Sequence, residues 1–247
     1  IIAVTGLAGH AFGSWRSRQT GQMWLRDWLP KAVPTARILT YGYDTTLIGG
    51  QSNASVLEFA TRLLEAIKTV RSGSAAQRPL VFIGHSLGGL IIKQLLVAAK
   101  AGGRDDRNIV NSCYGLMLFA VPSRGLDNVV LKSLVKGQPN EALVRDLGPD
   151  SRFLGVLHES FRRDFLFQDS QIVCIHETRP TPTVEIHDGS LRRTGPKVMM
   201  VERSSAIHHA NHEREEDILS IDADYFDIVK FSSSNVDPYK MVEHRIQ

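Results

Sequence analysis

The sequence predicts a mostly parallel α/β sheet with helices on both faces. Three observations carry that prediction. Six short apolar runs rich in β-branched residues recur along the 247 residues, at 1–5, 37–41, 80–83, 115–120, 171–175 and 197–201. Helical patterns lie between several of them. One run, "PLVFI", passes through "GHSLG" straight into a helical pattern.

Each run is nearly continuously apolar, as strands covered on both faces should be. The first, "IIAVT", opens the chain without an initiator methionine, which reads as a domain excised from something longer. Ser55 and Glu58 form a capping box ahead of Val56, Ala60, Leu63, Leu64, Ile67 and Val70 at helical spacing. After Ser86, a helix through Leu87, Leu90, Ile91, Leu95 and Ala98 should stop at Gly102-Gly103. Residues 125–166 read as mostly helical, either a cap over the strand ends or extra helices on the sheet edge. The polar stretch 178–196 reads as a loop, and 237–247 as a C-terminal helix leading out of a single domain spanning 1–247.

Composition excludes several classes. A formal charge of +3 with scattered basic residues gives no nucleic-acid footprint, and Arg162-Arg163 and Arg192-Arg193 read as solvated faces. Cys113 and Cys174 lie in or beside apolar runs and read as buried thiols, which suits a reducing, cytoplasmic setting. No apolar stretch is long enough to span a bilayer, which leaves only peripheral membrane contact.

The pentapeptide Gly84-His85-Ser86-Leu87-Gly88 is a G-x-S-x-G pattern. Its chemistry needs a strand, a sharp turn carrying a strained serine, and a helix, so that Oγ projects beyond the carboxyl end of the sheet. Ser86 is the candidate nucleophile. The amide of Leu87 is one candidate oxyanion donor, and the amide of Leu7, in "VTGLAGH" after the first run, is the second. The acid should follow a later strand, which favours Glu177 at the end of "IVCIHE" over Asp169 or Asp188. The base should follow the last strand. With 197–201 read as that strand, His208, His209 and His212 are the candidates. Their H-H-x-x-H spacing has no H-E-x-x-H or cysteine context, so no zinc is expected.

"GLAGHAFGSW", "WLRDWLP", "RILTYGY", "GHSLGGLIIKQ", "AVPSRG" and "DADYFDIVKFSS" together resemble a known family. It is that of the serine esterase/lipase-like α/β-hydrolase domains at the N-termini of fungal NOD-like receptors, related to the SERAC1 and DUF676 lipase-like groups. The resemblance implies the α/β-hydrolase fold and cleavage of an ester or lipid acyl bond with no cofactor. It also implies an effector role in an intracellular receptor, with a nucleotide-binding oligomerisation domain downstream. The chain departs from the family at three histidines. Thr5-Gly6 replaces His-Gly, Ser123 replaces the histidine of Thr-Pro-His-Arg-Gly, and Tyr225 replaces the catalytic histidine of an Asp-Ala-Asp-His-Ser motif.

Two readings follow. Either His208, His209 or His212 has taken over as base and the domain hydrolyses esters, or it is an impaired hydrolase whose fold serves binding or signalling. A phenol with an ordinary pKa near 10 is a poor base for serine at neutral pH.

Overall fold

The computed structural model describes residues 1–164, 170–188, 190–207 and 214–247. The first five predicted runs are strands of one sheet: β1 (Ile2–Val4), β2 (Leu39–Tyr41), β3 (Leu80–His85), β4 (Cys113–Phe119) and β5 (Gln171–Glu177). A polar excursion then forms two small antiparallel patches. There β6 (Thr181–Pro182) pairs with β9 (Lys197–Val198), and β7 (Glu185–His187) pairs with β8 (Ser190–Arg192). The last main strand is β10 (Ile218–Ile221), giving the order β2-β1-β3-β4-β5-β10 with every pairing parallel.

The run 197–201 is therefore not the last strand of the sheet. Met200 and Val201 are buried, but their amides bond to the Glu177 carboxylate instead of a neighbouring strand. The true edge strand was hard to see because only Ile221 of its four residues is fully buried. A strand covered on one side and flanked by acids lacks the continuous apolar signature of a central one.

The helices are α1 (Trp24–Asp27), α2 (Leu29–Ala32), α3 (Val56–Val70), α4 (Leu87–Ala101), α5 (Arg104–Asn111), α6 (Val129–Leu134), α7 (Glu141–Asp146), α8 (Arg152–Asp164), α9 (Arg203–Ala206) and α10 (Asp237–Ile246). The capping box forms: Ser55 Oγ accepts from the Glu58 amide at 3.3 Å, and Glu58 accepts from the Ser55 amide at 2.7 Å. Helix α4 starts directly after Ser86 and packs on β1, β3, α3, α5 and α8. Lys93 of α4 is fully buried and donates to Ser123 Oγ at 2.7 Å, tying the helix to the loop after β4.

An aromatic cluster holds the end of the chain against its beginning. The ring of Trp24 meets those of Trp15, Phe231 and Tyr239 edge-on, and its Nε1 donates to the Val229 carbonyl at 3.0 Å. This anchors the segment that carries Tyr225.

The elbow depends on close backbone approach. A Cβ on Gly88 would stand 2.3 Å from the Val4 carbonyl oxygen and 2.4 Å from that of Thr5. Gly88→Ala is expected to cost roughly 1–3 kcal/mol or more as an overpacking change that only backbone movement can relieve. Gly155→Ala, in an exposed turn of α8 with nothing near its Cβ, is expected to gain about 0.5–1 kcal/mol. Urea unfolding of both variants checks this, and equal midpoints would contradict it.

Candidate active site

Ser86 sits between the carboxyl end of β3 and the first residue of α4, with φ 54° and ψ −127°. For a serine this is a strained conformation costing about 1–3 kcal/mol, and such strain persists only where the surroundings impose it. Here the Ser86 amide donates to Phe119 of β4 at 3.0 Å, and its carbonyl accepts from Gly89 at 2.9 Å. Leu87 opens α4, so its N–H is one of the helix's unpaired first-turn donors. Leu7 lines the same pocket as Ser86, in a tight turn where the Gly9 amide donates to the Gly6 carbonyl at 3.1 Å and Ala8 donates to Thr45 Oγ1 at 2.9 Å.

The group that faces Ser86 is a phenol. The Tyr225 hydroxyl hydrogen-bonds Ser86 Oγ, and the ring is buried. Its backbone is fixed at both ends. The Tyr225 amide donates to Thr181 Oγ1 at 3.0 Å, and its carbonyl accepts from His85 Nε2 at 2.9 Å. The loop below is clamped by Arg179, which reaches Asp222 with two hydrogen bonds of 2.7 and 2.5 Å. Burial pushes the Tyr225 phenol well above its ordinary range, the Ser86 bond opposes that, and the charge of Glu177 adds to it. The hydroxyl is therefore protonated at neutral pH.

His85 is buried and held down to about 4 by desolvation, so it is a neutral imidazole. A bond to a carbonyl requires Nε2 to be its protonated nitrogen. Glu177 closes β5, and its Oε1 accepts from the amides of Met200 at 2.8 Å and Val201 at 3.2 Å. Its Oε2 is buried with no hydrogen-bond partner among the described residues. Burial, outweighing those two amide bonds, pushes the carboxyl up to about 7. A phenol has one polar atom, and Tyr225 directs it to Ser86. An imidazole has two nitrogens and can serve a serine and a carboxylate together.

The structure thus gathers Ser86, Leu7, Tyr225 and His85 around one pocket of about 410 Å3; Glu177 is not among its described lining residues and bonds the amides of Met200 and Val201. The structure does not gather the other candidates. His208, His209 and His212 lie outside the described residues, as does Asp169, and the three histidines precede β10 in the chain while Tyr225 follows it. Asp188 is an exposed turn residue between β7 and β8. At the other two departures from the family, Thr5 and Ser123 are buried. Among the described residues no group of three or more His, Cys, Asp or Glu could hold a metal ion. No described helix is long and apolar enough to cross a membrane. Sequence reading missed His85 and Thr181, which fix Tyr225 through its backbone, a contact that no side-chain pattern signals.

The chain and its fold have known counterparts. The chain is 27% identical to SERAC1 of Bos taurus over 200 residues, 73% of this chain, and 25% identical to SERAC1 of Danio rerio across 100% of it. It is homologous to SERAC1. It spans only 30% and 38% of the length of those two SERAC1 proteins. No family model matches. Among solved structures, phospholipase PlaB from Legionella pneumophila superposes with a TM-score of 0.54 at 16% identity, over 71% of this chain and 37% of that one. Bacillus licheniformis lipase BlEst2 superposes at 0.52 and 11% identity, over 94% and 87% of the two chains. These likenesses establish the fold, that of the α/β-hydrolases.

A carboxyl held above its ordinary 4.5 binds its proton more tightly in the folded state. Its contribution is most favourable below about pH 4.5 and declines as pH rises to about 7, by on the order of 3 kcal/mol. His85 and His158, both held down to about 4, act in the opposite direction, so the variant comparison isolates Glu177. Glu177→Gln should match the wild type near pH 4.5 and exceed it in stability by pH 8, read as melting temperature. A difference that does not change with pH would contradict this.

Proposed function

We propose that the domain is a lipase-type serine hydrolase site whose base has been replaced, so that it binds acyl-ester ligands and turns them over slowly. Ser86 is the nucleophile, the Leu7 and Leu87 amides form the oxyanion hole, and Glu177 is the acid left without the imidazole it would orient. The observation that carries this reading is the Tyr225 hydroxyl on Ser86 Oγ, a buried phenol that keeps its proton at neutral pH. Such a group can donate to the serine but cannot take its proton. Loss of a triad base still leaves roughly 10³–10⁴-fold rate over water from the oxyanion hole and binding.

The retained elbow favours a second reading, an active esterase with His208, His209 or His212 as substitute base, because strain of about 1–3 kcal/mol is kept at Ser86. In either case the wider role is that of an effector or signalling module in a fungal innate-immunity receptor. It would lie in the cytoplasm, at a membrane surface at most, and upstream of a nucleotide-binding oligomerisation domain. The family resemblance supports that role.

Labelling with a fluorophosphonate probe separates the two readings. The wild type should label weakly, Ser86→Ala not at all, and Tyr225→His at least about 100-fold faster, the usual worth of a positioned general base. Strong wild-type labelling lost in His208→Ala, His209→Ala or His212→Ala would overturn the first reading in favour of the second.

A further inference from the structure

The pocket over Ser86 has two unlike walls. One is apolar. Val130 and Leu131 come from α6, and Leu47 comes from a loop that Asn140, ahead of α7, fastens by donating to the carbonyls of Thr46 and Leu47 at 2.8 and 3.0 Å. Met200 joins this wall through its carbonyl, which accepts from the Asp127 amide at 3.0 Å. The other wall is cationic and consists of Arg18, Arg193 and Lys230. The Arg193 guanidinium lies 3.3 Å over the centroid of Phe226, the residue after Tyr225.

The three cations are close enough to disfavour one another. Desolvation chiefly lowers both Arg193 and Lys230; Arg18 lowers each further, and Arg193 also lowers Lys230. Lys230 pairs with Asp227 at 2.8 Å, whereas neither Arg18 nor Arg193 pairs with a carboxylate among the described residues. Asp127, the acid among the described lining residues, stands just before α6, beside Val130 and Leu131 in the chain. Asp224 and Asp227 lie near enough to favour the Arg193 charge, but neither forms an ion pair with it among the described residues. Two exposed guanidiniums lining a pocket suit an anionic oxygen group, which each can grip with parallel N–H donors. The volume, about 410 Å3, is near the small end of the usual ligand-pocket range of about 300–1,000 Å3 and fits one chain better than two.

We propose that this pocket takes a single-chain anionic amphiphile, its acyl chain along Leu47, Val130, Leu131 and Met200 and its phosphate or carboxylate on Arg18 and Arg193. The proposal rests on the reading of the Ser86 site as an acyl-ligand pocket and names the class of ligand.

Calorimetric titration of the Ser86→Ala protein, which cannot form an acyl-enzyme, tests it. The probes are palmitoyl lysophosphatidate, palmitate, neutral monopalmitin and inorganic phosphate, each below its aggregation concentration. An anionic amphiphile should bind at least about tenfold tighter than monopalmitin, the worth of one charge-assisted contact. That advantage should vanish in Arg18→Gln/Arg193→Gln and shrink as salt is raised in the unsubstituted pocket, which does not depend on how the variant folds. Preference for lysophosphatidate alone, or for palmitate alone, assigns the headgroup and supports the proposal. Equal binding of monopalmitin, inorganic phosphate binding as well as the amphiphiles, or no binding of any probe overturns it. Binding without wild-type turnover supports the pocket assignment and counts against hydrolysis. Turnover of neutral esters with no anionic preference overturns the assignment and leaves hydrolysis standing.

Discussion

One close approach of backbone to backbone sets the site in place. Where β3 turns into α4, Gly88 lies against the carbonyls of Val4 and Thr5, and Gly84 lies against Gly89, with no room for a Cβ at either position. A strand and helix brought that close leave the residue between them no relaxed conformation, and Ser86 takes φ 54°. The same contact presses α4 onto β1 and so brings the turn bearing Leu7 beside the serine. The strained serine at the carboxyl end of β3 and the turn of Leu7 beside it are one consequence of packing, whatever chemistry the site performs.

What the site does with that serine is decided from the other end of the chain. The Trp24 cluster holds Val229 and Phe231, the Arg179–Asp222 pair holds the loop, and Thr181 and His85 grip the Tyr225 backbone. The position is built to hold a side chain against Ser86. With a phenol in it, the side chain's one polar atom bonds the serine. Glu177 Oε2 is buried without a partner among the described residues, and burial raises the carboxyl. Under the proposed function, such a site retains the means to bind and polarise an acyl group while lacking the means to remove a proton.

The central part of this structure was legible in the sequence, and its edge was not. Strands buried on both faces write continuous apolar runs, so β1 to β5 were visible, as were the Ser55–Glu58 cap and the serine elbow. The edge strand Ile218–Ile221 has one fully buried residue, and the apolar run 197–201 imitated it. That exchange moved the end of the last strand along the chain. Histidines that seemed to follow the last strand in fact precede it, and the residue that follows it is Tyr225. The significance of Tyr225 was legible only from the family pattern, because nothing in composition or spacing marks a tyrosine as standing where an imidazole would be. The cationic wall was invisible for a similar reason: Arg18, Arg193 and Lys230 are far apart in the chain and meet only through the fold.

The most direct test of the central claim, that Ser86 faces a phenol and has no base, is the pH dependence of its acylation. The burst of p-nitrophenol from an activated ester, followed between pH 5 and 9, reports that step alone. Without a base the rate should climb steadily with pH and reach no plateau, while Tyr225→His should level off with a midpoint in the imidazole range near about 6.5. A wild-type profile that already levels off there would mean that a histidine serves Ser86, and the central claim would be wrong.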